Sequence, residues 1–236
     1  MGHRWPFLAC SMEQWPQPLH DVSFRVEQIE LSELQANVLL AFTRPVQRER
    51  KPPAEDFISE ELRDTVEIAL GDFGQVLPRL GLLSFKRPRE PVKPVSSFET
   101  FLDCVLSPNA RVHSILRSAL RNDFACIMYL REWHDIPNYA EFRVFVKDRK
   151  IIGISQYNCT VKYPEIASQA DLLAGRIADF VTSIAGSLPV DDAIVDVAVE
   201  PNMRLIDINP FLRNTDPCLF SWSNGGDFDQ TFRFVR

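Results

Sequence analysis

The residues of this chain best suited to do chemistry lie between Asp196 and Asn209. Two apolar runs flank Pro201-Asn202, and Pro supplies the fixed φ of a turn, so the stretch from Asp196 to Pro210 reads as a β-hairpin. With an even loop centred on Pro201-Asn202, Asp196 sits directly across from Asp207, and the period of two puts Asn209 on the same face. Opposed like charges destabilise a strand pair by roughly 0.2–1 kcal/mol, and more where water is scarce. A cation between them removes that repulsion. Two carboxylates and an amide oxygen form a hard, all-oxygen set that suits Mg²⁺ carried by phosphates. A hairpin with its acids turned into water fits the same spacing.

Two further runs carry charge on regular elements. In a strand over Glu141–Val146, Glu141, Arg143 and Phe145 share one face. An arginine there can serve phosphate through its planar donor fork, or form a weak ion pair on an exposed strand. Leu130-Arg131-Glu132-Trp133 ends another strand with a cation and a large aromatic. Such an end can hydrogen-bond a purine edge while apolar side chains sandwich the ring, and Trp133 can equally be plain core. Asp72-Phe73-Gly74 mimics a kinase magnesium motif, but no His-Arg-Asp loop accompanies it and it sits at a predicted helix end. No GxGxxG or Walker sequence occurs, and the four histidines are too dispersed for a zinc set.

The elements that must position these groups follow from periodicity. Helices are expected over Ser59–Leu70, with Gly71 just beyond the end, and over about Ala110–Arg121. Ser96-Ser97-Phe98-Glu99 opens another helix with a capping box. Strands are expected at Gln75–Leu80, interrupted by Pro78, and at Phe124–Glu132, Glu141–Lys147 and Lys150–Gln156. The last two join through a tight turn at Asp148-Arg149. A long helix spans about Ser168–Ser187, with Leu172, Leu173, Ile177, Phe180, Val181 and Ile184 on one side. Polar connectors run from Phe42 to Glu55 and from Ser84 to Pro94; the second is basic and Pro-rich, with Lys86, Arg87, Arg89 and Lys93. This order predicts an α+β fold divided into an N-terminal lobe, residues 1–124, and a C-terminal lobe, residues 125–236, with an antiparallel sheet and one packed helix.

Composition sets the class. The 236 residues are 45% hydrophobic and 25% charged, as in ordinary globular proteins. A net charge of −6 argues against a nucleic-acid partner. The five cysteines are scattered and form no CxxC, so they read as reduced thiols. No apolar stretch approaches the roughly eighteen residues of a membrane span, and no signal peptide is evident. The expected protein is cytoplasmic and monomeric.

Leu-Arg-Glu-Trp (130–133), Glu-Phe-Arg-Val-Phe-Val (141–146), Ile-Ile-Gly-Ile-Ser-Gln (151–156), Ile-Asp-Ile-Asn-Pro-Phe (206–211) and Leu-Phe-Ser-Trp (219–222) occur in that order. This resembles the cell division cycle protein 123 family, a divergent branch of the ATP-grasp proteins, most densely from about Ile127 to Trp222. The resemblance implies an ATP-grasp fold with ATP and Mg²⁺ held between two lobes. It implies that Asp196, Asp207 and Asn209 ligate the metal, that Arg143 lies by the phosphates, that Glu141 is among the nucleotide-binding residues, and that Leu130, Arg131 and Trp133 lie beside the adenine. Arg79 stands where the family has a nucleotide-facing lysine, and Lys86 is a nearby basic candidate. The long tail and acidic insert of eukaryotic members are missing. The implied function is assembly of translation initiation factor 2 through its γ subunit, if the source is eukaryotic. The alternative is a carboxylate–amine ligase that forms an acyl phosphate on a peptide or small molecule.

Overall fold

The computed structural model describes residues 6–46, 52–86 and 92–236. Arg48 and Lys51 of the expected Phe42–Glu55 connector, and Arg87 and Arg89 of the basic one, lie outside these residues. Two units are distinguished: residues 25–134, and residues 1–24 together with 135–236. Among the described residues, no helix is long and apolar enough to cross a membrane.

Within the 25–134 unit, four antiparallel strands lie in the order β1-β4-β2-β3: β1 Val26–Glu30, β2 Val76–Leu80, β3 Leu83–Ser84 and β4 Ile127–Glu132. Met128 and Leu130 on β4, and Val76 and Leu80 on β2, join one apolar cluster with Leu39, Phe57, Leu62, Val66, Phe101 and Leu116. The last six come from, or lie between, the helices α3 (Glu33–Thr43), α4 (Glu60–Phe73), α5 (Phe98–Val105) and α6 (Ala110–Arg121). The helix starts are fixed chemically. Ser32 and Gln35 form a capping box on α3, as do Ser97 and Thr100 on α5, while Ser59 and Asn109 cap α4 and α6.

Several expectations shift here. The α5 cap is Ser97 with Thr100, one residue on from the expected Ser96/Glu99 pair. Helix α4 runs through Gly71 to Phe73 and ends at Gly74, whose φ of 73° suits a residue without a Cβ. Pro78 is accommodated inside β2, its carbonyl accepting from the Phe85 amide. β4, expected with the later strands, is central in this first sheet between β1 and β2. A change from helical to strand periodicity marks where strands begin, not which sheet they join. β1 and α3 lie outside the elements expected from periodicity.

In the other unit the sheet order is β8-β7-β5-β6-β9, with β5 Glu141–Lys147, β6 Lys150–Gln156, β7 Ala193–Ala198, β8 Arg204–Pro210 and β9 Phe232–Arg233. Neighbours are antiparallel except β9, which runs parallel to β6. Asp148 and Arg149 turn between β5 and β6 with φ of 49° and 60°, the sign a tight type I′ turn needs. The helix expected over about Ser168–Ser187 is α8 (Ala170–Ala185), preceded across Gln169 by the short α7 (Pro164–Ser168), and α8 packs against β6. Leu173, Ile177, Val181 and Ile184 are buried, whereas Leu172 is 59% exposed and lies off that face. The short helices α1 (Pro6–Ala9) and α2 (Gln17–Asp21) belong to this unit, and Ser23 bridges to Leu205 on β8.

Candidate functional site

Asp196 lies across from Asp207, as the spacing predicts, but by a different route. Nearest the turn, Ala198 pairs with Arg204 and Val197 with Leu205, so the loop is odd and centred on Pro201. One extra residue, Ile206, then restores the register that pairs Asp196 with Asp207 and Ile194 with Asn209. The even-loop expectation is therefore corrected, and the facing of the acids survives because of the bulge.

A second bulge builds the other wall. From the Asp148-Arg149 turn, Val146 pairs with Ile151, then Ile152 is skipped and Phe145 pairs with Gly153. Arg143 thereby pairs with Ser155, and on its other side the unshifted β5–β7 register pairs it with Asp196. The Arg143 guanidinium meets Asp196 as a fork: Nε donates to Oδ1 at 2.8 Å and Nη2 to Oδ2 at 2.8 Å. Its Nη1 donates to the Asp216 carbonyl at 2.7 Å, and the guanidinium lies 4.9 Å from the Tyr157 ring centroid. Asn209 Nδ2 donates to Asp196 Oδ2 at 3.0 Å, and Asp207 Oδ1 accepts from the Ile208 amide at 3.2 Å.

Arg143 and Asp196 are only 5% exposed. Burial disfavours the Arg143 charge, but the adjoining Asp196 carboxylate outweighs it and raises the guanidinium pKa above its ordinary value. Removing either partner would strand the other at roughly 3–5 kcal/mol. Burial likewise raises the Tyr157 pKa, aided by Asp196, and pushes the Cys218 thiol up to about 12 against the opposing pull of Arg143. Cys10, near β8, is pushed up to about 12 by burial and by the charge of Asp207. Asp196 thus takes its countercharge from Arg143.

Glu141 starts β5 opposite Ala198 on the same unit. The remaining sequence-predicted residues fall in the 25–134 unit. Leu130 is fully buried in the helix-side core, so only its backbone is left to meet a ligand. Arg131 and Arg79 lie on the opposite sheet face, beside Leu77 and Tyr129 in the strand register, and both are buried. Arg79 turns back along its own strand end, donating from Nε to the Leu80 carbonyl at 3.3 Å and from Nη2 to the Gly81 carbonyl at 3.1 Å. The Lys86 carbonyl accepts from Asn109, and the Trp133 amide donates to Gln75. Sequence reasoning missed Tyr157, Ser155 and the Asp216 carbonyl, because an unbulged β5–β6 hairpin would set Arg143 against Ile154 instead.

The donor set fits a hard cation: two carboxylates and one amide on adjacent strands, with oxygen the only ligand type the acids offer. Among the described residues no three His, Cys, Asp or Glu side chains gather, so a three-ligand site must enlist Asn209.

The D123 family model matches residues 101–230. The chain is 35% identical over 130 residues to the translation initiation factor eIF2 assembly protein of Vanderwaltozyma polyspora, covering 49% of this chain and 34% of that one. It is 38% identical over 100 residues to cell division cycle protein 123 of Eremothecium gossypii, covering 41% and 28%. These matches span about a third of the relatives' length or less. The solved structure of Cdc123 from Schizosaccharomyces pombe superposes with a TM-score of 0.78 at 22% identity, over 98% of this chain and 97% of that one. The chain shares that fold, and the expected α+β class is borne out.

Proposed function

The chain belongs to the D123 family, that of cell division cycle protein 123, and from that premise we propose that it binds Mg-ATP and assists assembly of translation initiation factor 2 through that factor's γ subunit. The observation that carries the nucleotide half is the facing of Asp196 and Asp207, with Asn209 two residues along the same strand. These three would hold Mg²⁺, which when bound neutralises the phosphates of ATP. The names of the relatives support the assembly half.

Asp207 is the residue to test, because Asp196 keeps Arg143 when Asp207 is gone. Asp207→Ala should abolish Mg-dependent ATP binding in calorimetry while the thermal unfolding midpoint without metal stays the same or rises. Normal Mg-ATP affinity in that variant would defeat the metal assignment. Wild-type protein should also retain the γ subunit in a pull-down and show only slow ATP hydrolysis. No capture, combined with hydroxylamine-dependent ADP release on a panel of amino acids or peptides, would move the function to a carboxylate–amine ligase.

A further inference from the structure

We propose that Arg143 is a positioning residue that couples the metal ligands to the loop at Asp216–Phe220, rather than a ligand of the nucleotide phosphates. This rests on the reading of Asp196 as a metal ligand. One guanidinium is shared between two structures. Two of its nitrogens hold both oxygens of Asp196 at 2.8 Å, and the third holds the Asp216 carbonyl at 2.7 Å. The side chain is buried and capped by the Tyr157 ring, so it has little room to reach elsewhere.

The loop depends on the same neighbourhood. The Cys218 amide donates to Asp216 Oδ1, the Leu219 amide donates to Ser155 Oγ, and Ser155 is the strand partner of Arg143. Cys218 also adopts φ of 53°, a conformation a non-glycine residue keeps only where neighbours enforce it. Without metal, Arg143 supplies the positive charge that Asp196 requires. A divalent cation on Asp196 supplies it instead and repels the guanidinium, which weakens the hold on both Asp196 and the Asp216 carbonyl. Metal binding and loop order are therefore opposed through a single side chain.

Amide hydrogen exchange at Cys218 and Leu219 reads this directly, with Mn²⁺ alone as the probe and then Mg-ATP. In the wild-type chain, exchange at these two amides should quicken about tenfold on Mn²⁺ binding, the scale of one hydrogen bond to a charged group. Arg143→Lys keeps a positive charge but cannot fork to Asp196 and reach the loop together. It should exchange quickly at both amides without metal and respond little to Mn²⁺. The wild-type arm needs no variant, so a poorly folded Arg143→Lys does not remove the test. Mn²⁺ binding with no change at the two amides would overturn the coupling alone. Arg143→Lys that loses ATP but keeps its Mn²⁺ affinity would overturn the proposal in favour of a phosphate ligand. Were the wild-type chain to bind no Mn²⁺, the metal reading itself would fall.

Discussion

At the scale of single residues, the acids of the β7–β8 hairpin are legible in the sequence and the countercharge of Asp196 is not. Spacing brings Asp196 opposite Asp207, yet the cation that meets Asp196 depends on β5 lying beside β7, a pairing that no residue type announces. Cys10 reports on the same neighbourhood. Its thiol is pushed up to about 12 by burial and by the charge of Asp207, from an ordinary value near 9.0. The folded state thus favours the neutral thiol, so its contribution to stability is complete below pH 9 and is lost as pH rises toward 12. Denaturant midpoints measured at pH 8 and pH 10.5 should fall further for the wild-type chain than for Cys10→Ala. Iodoacetamide should also label Cys10 far more slowly in the folded chain than in the unfolded one. Equal slopes in the two proteins would show that the fold does not hold the Cys10 thiol neutral.

At the scale of elements, periodicity and caps carry much of the argument. Helix α6 falls on the expected Ala110–Arg121, and β5 and β6 match Glu141–Lys147 and Lys150–Gln156. What is not legible is assignment across distance: β4 looks like the first strand of the later sheet but pairs with β1 and β2, whose partners lie far from it in sequence. Helix α3 has a sequence signal, the Ser32/Gln35 capping box, that an apolar-period search passes over. The bulges at Ile152 and Ile206 are invisible for a related reason. A one-residue slip costs little locally, and only the packing of a whole face selects it.

Gly153 shows what that packing requires. A Cβ there would stand 2.5 Å from the Phe220 ring, which is itself covered by Arg233 at 4.0 Å from its centroid. Phe220 also packs edge-on to Phe145 and stacks on Phe228. Gly153→Ala should therefore destabilise by about 1–3 kcal/mol, the usual cost of overpacking. Phe220→Leu should recover part of that loss in the double variant, read as a coupling in urea unfolding. Additive effects of the two changes would mean that the ring moves aside without cost.

At the scale of the whole molecule, the family match covers residues 101–230, while the fold match extends over 98% of the chain. Residues before 101 thus keep the shape of the family where sequence similarity has faded. The chain also returns on itself: residues 1–24 and 135–236 form one unit, a grouping that linear reading does not suggest.

The short β9 has a consequence for solubility. Its parallel pairing with β6 is extended by the Gln230 amide on the Ile152 carbonyl and the Thr231 carbonyl on the Ile154 amide, and the Val235 amide donates to the Gln156 side chain, so residues 230–235 run along one border of the five-stranded sheet. At the opposite border, Val22 and Ser23 meet Leu205 on β8. An uncovered border strand is a template onto which another chain can add. Removing residues 229–236 should accordingly leave β6 open and produce time-dependent light scattering under conditions where the full chain stays clear. The tail would then be a guard against self-templating, whatever else it contributes.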